Sequence, residues 1–105
     1  MELFSCTGAA TVTTLNAADI HKLTDPLGPA SLVTLGTSAS GFTASNEGTV
    51  ATAIMYDVQF IAPTAQYVYQ WPLGREPKVE LSRFVRVRVT AGAAVNAYCW
   101  VTWGE

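Results

Sequence analysis

Charge is scarce in this chain. Asp, Glu, Lys and Arg make up 13% of its 105 residues, against roughly 25% in an ordinary soluble domain. There is one histidine and there are two cysteines. A lone His21 cannot build a multi-histidine metal site, and Cys6 and Cys99 lack the close spacing of zinc ligands. No metal or other cofactor is expected. The Gly-x-Ser-x-Gly elbow, the Walker loop and the dinucleotide fingerprint are all missing. A basic excess is missing too. The net charge of -2 and a pI near 5.2 speak against a dedicated nucleic-acid binder. No apolar run approaches the ~18 residues of a membrane span, so no membrane partner is expected. The opening Met1-Glu2-Leu3-Phe4 offers neither a basic n-region nor an h-region. The expectation is a protein made in the cytoplasm and used without signal-peptide export.

What is present is apolar. Hydrophobic residues account for 50% of the chain, and the mean hydropathy is +0.25. The length fits one domain, residues 1–105. A compact monomer of 11.2 kDa would expose roughly 5,700 Å², leaving about one charge per 400 Å². Such a surface reads as that of an assembly subunit, because sizeable apolar patches mark contact sites. The other reading is an Ala/Thr-rich monomer with a polar, uncharged skin. A Cys6–Cys99 bridge would close a long loop and be worth about 4–5 kcal/mol. Without export, two buried free thiols are the expectation.

Short apolar runs alternate with small-residue breaks along the chain, the pattern of a sandwich or barrel. Residues 10–15 read as a strand. Residues 16–22 permit a helical turn capped at Asn16. Asp25-Pro26-Leu27-Gly28-Pro29 reads as a turn, and residues 30–35 as a short strand. Residues 36–48 are rich in Gly, Ser, Thr and Ala and read as a long loop holding at most a weak edge strand. In 50–61, Ile54, Tyr56, Val58 and Phe60 alternate with Met55, Asp57 and Gln59, the period of a strand with two unlike faces. Pro63 ends it, and Tyr67, Tyr69 and Trp71 then share one side of a further extended run.

Two clean alternations close the chain, Phe84-Val85-Arg86-Val87-Arg88-Val89 and 95–103, joined by Thr90-Ala91-Gly92-Ala93-Ala94. They predict a hairpin. A one-residue slip would reverse a strand's faces, so chemistry selects the register. A five-residue loop sets Val89 against Val95, Val87 against Ala97 and Val85 against Cys99. The opposite face then matches Arg88 with Asn96, Arg86 with Tyr98 and Phe84 with Trp100. The first face, with Val101 and Trp103, is expected to be dry. Arginine and aromatic residues are enriched at protein interfaces, so Phe84, Arg86, Arg88, Tyr98 and Trp100 are the candidate partner-binding residues. The 36–48 loop is a second candidate. Ordinary cross-strand pairing on a solvated face is the bland alternative.

Catalysis finds little footing. Ser5 or Ser31 with His21 and Asp19 or Asp25 makes a triad only on paper, and Asp57, Glu76 and Glu80 make a carboxylate set only if they converge. No catalytic residue is assigned, and the chain is read as a non-enzyme. Arg75, Lys78, Arg83, Arg86 and Arg88 cluster near aromatic residues, as in barrels that hold single strands. Glu76 and Glu80 interrupt that strip, and an acidic patch on a neighbouring subunit suits the arginines better. Trp71, Trp100 and Trp103 permit sugar stacking.

The run Arg83-Phe84-Val85-Arg86-Val87-Arg88-Val89-Thr90-Ala91-Gly92, followed by Ala94-Val95-Asn96-Ala97, resembles the closing hairpin of small β-sandwich virion structural proteins of tailed bacteriophages. The low-charge Ala/Thr/Gly-rich composition fits the same group. The resemblance implies a single antiparallel β-sandwich, jelly-roll or immunoglobulin-like, located in the virion. It implies a capsid decoration or cement protein that associates with itself, a trimer favoured, and with the major capsid protein. The alternative is a tail- or fibre-associated carbohydrate- or receptor-binding β-sandwich module.

Overall fold

A computed structural model describes residues 1–23, 31–34 and 40–104. These residues form β1 (Glu2–Cys6), β2 (Thr11–Thr14), a 3₁₀ turn (Ala17–Asp19), β3 (Gly41–Asn46), β4 (Ile54–Val58) and β5 (Phe84–Arg88). The fold is all-β, with every ladder antiparallel. The chain divides into two compact units, one of Met1–Gly8 with Val50–Val101 and one of Ala9–Thr49 with Thr102–Glu105.

The first unit holds a three-stranded sheet in the order β4-β1-β5. Its centre is β1, a segment with no strand signature of its own. Glu2, Phe4 and Cys6 lie opposite Arg88, Arg86 and Phe84, while Leu3 and Ser5 lie opposite Val87 and Val85. Each face of β1 therefore mixes polar and apolar groups. Phe4, Ser5 and Cys6 are fully buried, and burial of a phenylalanine side chain contributes about 1.5–3 kcal/mol. On the other side β1 pairs with β4, with a register shift between Leu3 and Phe4 that leaves Tyr56 as the extra residue. Such a bulge re-aims a side chain, and the Tyr56 hydroxyl lies 2.7 Å from Ser5 Oγ.

The second unit holds the β2–β3 pair. Thr11, Val12 and Thr13 oppose Asn46, Ala44 and Phe42, so Ser45 and Thr43 are extra residues. Thr43 has φ +49°, a left-handed conformation that costs a β-branched residue about 1–2 kcal/mol. Those two insertions hide the strand inside a run that reads as a loop. Gly41 sits where a Cβ would fall 1.8 Å from the Thr13 carbonyl oxygen, so only glycine fits. The expected turn after Asn16 is present, with the Asn16 N–H donating to Asp19 Oδ2 at 2.8 Å.

Several expectations need correction. Residues 66–71 and 95–103 carry the strand alternation yet form no ladder among the described residues. The closing hairpin is not formed. The chain bends at Gly92 and Ala93 without closing, and β5 pairs with β1 instead. Alternation supplies two unlike faces; it does not supply the neighbouring strand that a ladder needs. The supposed dry face is consequently open, with Val85, Val89, Val95, Val101 and Trp103 all exposed. Both thiols are free as expected, but only Cys6 is buried and Cys99 is exposed. Residues 31–34 form no strand; the Val33 N–H donates to Ser31 Oγ at 3.2 Å, a local bond that competes with a ladder. The turn expected at 25–29 lies outside the described residues.

Candidate interaction surface

The three β5 candidates share the sheet face that carries Phe4. Phe84 opposes Cys6, Arg86 opposes Phe4 and Arg88 opposes Glu2. The Arg88 guanidinium donates to Glu2 Oε2 at 3.1 Å and lies 4.8 Å from the Phe4 ring centroid. A cation over a ring contributes about 0.5–1 kcal/mol at such a partly exposed site. Arg86 donates to the Gly8 carbonyl oxygen. Both arginines are thus engaged within the chain, and both are only partly exposed.

Tyr98 and Trp100 belong to no strand. Their rings lie 6.1 Å apart at 50°, and they are 90% and 60% exposed. The expected pairs Arg86–Tyr98 and Phe84–Trp100 do not occur as ladder partners among the described residues. A second aromatic pair, Tyr69 and Trp71, meets edge to face at 5.0 Å.

Arg83 bonds the central strand to the 50–53 segment, a role its place in the sequence does not announce. Arg83 donates Nε to Ser5 Oγ at 3.0 Å and Nη2 to the Ser5 carbonyl at 3.2 Å. Its Nη2 also donates to the Thr52 carbonyl. Thr52 Oγ1 in turn lies 2.9 Å from Thr7 Oγ1. The Ser5 hydroxyl is therefore held by Tyr56 and Arg83. In the sequence Arg83 read as one member of the basic strip, and nothing marked Ser5 as its partner 78 positions away.

Asp57 accepts from the Tyr67 hydroxyl at 2.7 Å and from Gln59 Nε2 at 3.0 Å. Partial desolvation pushes its carboxyl upward, but Tyr67, Gln59, the Val58 backbone N–H and the N-terminal ammonium outweigh that. Its pKa lies below the usual carboxylate value. The hydrogen bond to Asp57 pushes the Tyr67 phenol above its usual value. Asp57 is thus committed to its neighbours. Among the described residues no group of three or more His, Cys, Asp or Glu is placed to hold a metal ion, and no helix is long and apolar enough to cross a membrane.

No family model, no curated protein and no solved structure matches this chain.

Proposed function

We propose that the chain is a virion structural protein of the capsid decoration or cement type, which binds copies of itself and a capsid lattice. The observation that carries this reading is the apolar surface of the first unit. Phe60, Leu73, Leu81 and Tyr98 are 105%, 98%, 95% and 90% exposed there. A monomer that left such side chains in water would forgo much of its hydrophobic stabilisation, and burial against a partner recovers it. Scarce charge keeps the desolvation cost of such contacts low. An interface of about 1,600 Å² is the usual size for a stable complex, and repeated sites on a lattice add avidity. The finer fold, a single jelly-roll or immunoglobulin-like β-sandwich, belongs to the same proposal and draws support from the antiparallel all-β content.

Size-exclusion chromatography with light scattering, in low and high salt, tests this reading. A trimer or larger species is expected. A monomer at every concentration and salt would remove self-association. Tyr98 and Trp100 favour one second reading, a carbohydrate-binding module, since adjacent exposed rings can stack on a sugar. On that reading Trp100→Ala abolishes binding on a glycan array while the oligomeric state is unchanged.

A further inference from the structure

We propose that residues 95–101 of one copy add as a strand to the β5 edge of a second copy, each copy passing its segment on in a closed exchange. The proposal rests on the self-association argued above and names the surface and its occupant. Three observations carry it.

First, the segment has the composition of a strand and no ladder. Residues 95–103 contain no charge, no proline and no glycine, and alternate apolar with polar or aromatic groups. An exposed run of this kind is a template for pairing. Here it lies outside both sheets, with Val95, Tyr98, Trp100 and Val101 exposed. The comparable run at 66–71 is less available, because the Tyr67 hydroxyl is bonded to Asp57.

Second, an acceptor edge exists. β5 is an outer strand of the β4-β1-β5 sheet, with Val85 and the adjoining Val89 exposed. Added in antiparallel register, Val95, Ala97 and Cys99 fall opposite Val89, Val87 and Val85. Asn96, Tyr98 and Trp100 fall opposite Arg88, Arg86 and Phe84. Each pair is chemically compatible, and Trp100 joins the face that carries Phe84, Phe4 and Cys6. Main-chain bonds along the edge give affinity, and the alternating side chains give specificity.

Third, the connection does not close on its own strand. The chain bends at Gly92 and Ala93, and residues 95–101 form no ladder with β5. A short hinge that leaves a hairpin open is the situation in which the same contacts form between copies.

Val85→Cys tests the register, since it faces the native Cys99. The full-length variant is oxidised with oxidised glutathione, run on a non-reducing gel, and its linked peptides mapped by mass spectrometry. The unsubstituted chain supplies the background from Cys99 alone. The expected result is an 85–99 bridge between chains in most of the protein. Val87→Cys with Ala97→Cys, in a Cys99→Ser background, should cross-link in the same way. An 85–99 bridge within single chains overturns the proposal. Oligomers seen by light scattering without either interchain bridge also overturn it, while leaving self-association standing. A monomer with no bridge overturns both.

Discussion

The Arg83 guanidinium donates to both the hydroxyl and the carbonyl of Ser5, at 3.0 and 3.2 Å. Ser5 is fully buried in the central strand, so these bonds satisfy polar atoms that water cannot reach. Hydrogen bonds from a charged donor contribute about 1.5–3 kcal/mol. Arg83→Ala is therefore expected to lower stability by about 2 kcal/mol. Urea unfolding should show a lower midpoint at unchanged slope, and Arg83→Lys should recover part of the loss. A midpoint equal to that of the parent chain would show that Ser5 does not depend on this side chain.

Asp57 gives the first unit an acid-sensitive contact. Its carboxyl is held below the ordinary value, with desolvation opposing and the Tyr67 and Gln59 bonds prevailing. A carboxylate with a depressed folded pKa adds stability above its unfolded pKa of about 3.9 and loses it as pH falls through the folded value. Tyr67→Phe removes the largest single contribution to the lowering. The gap in stability between parent and variant should thus be present at neutral pH and shrink below pH ~4. Unfolding curves at pH 7 and pH 3 check this, and a gap of constant size would refute it.

Legibility in the sequence followed the strength of alternation. Ile54 to Val58 and Phe84 to Arg88 alternate without interruption, and both are strands. β2 was legible for the same reason. β1 was not, because a strand covered on both faces mixes Phe4 and Cys6 with Glu2 on one side and Leu3 with Ser5 on the other. β3 was obscured by the extra Thr43 and Ser45. Residues 95–101 alternate as well and have no ladder, since pairing depends also on which neighbour is in reach. The candidate surface was legible in composition, as arginine and aromatic residues. Its division was not: Arg86 and Arg88 turn to partners in the chain, and Tyr98 and Trp100 face water. That division follows from residues 95–101 lying outside the sheet that holds β5.

Gly41 and Gly92 should respond oppositely to alanine. A Cβ on Gly41 would overlap the Thr13 carbonyl, whereas one on Gly92 meets nothing within 4 Å. Gly41→Ala must push β2 from β3, with a cost of about 1–3 kcal/mol of the kind seen on overpacking. Gly92→Ala should stay within about 0.5 kcal/mol of the parent. Amide exchange along 11–14 and 41–46 reports the first effect directly. Unchanged protection there in Gly41→Ala would contradict the close approach.

Ser82 has φ +67° and immediately precedes Arg83. The left-handed region costs a residue with a Cβ about 1–2 kcal/mol, and glycine avoids that cost. Part of the gain is lost to the greater freedom of an unfolded glycine. Ser82→Gly should therefore stabilise the chain by about 0.5–1 kcal/mol. Thermal unfolding checks it, and a lower melting temperature would mean that the Ser82 backbone is not strained.

Arg86→Glu and Trp100→Ala separate folding from association. Arg86 donates to the Gly8 carbonyl and lies opposite buried Phe4. Its replacement by a carboxylate removes a charged donor and sets a negative group against a carbonyl oxygen, so it should lower the unfolding midpoint as well as any assembly. Trp100 is 60% exposed and touches Tyr98. Trp100→Ala should leave monomer stability within about 0.5 kcal/mol while weakening association, because a large ring in water stabilises a fold little and an interface much. Sedimentation equilibrium beside urea unfolding of the same samples reads both quantities. If Trp100→Ala associates as the parent does, the Tyr98–Trp100 surface is not where copies meet.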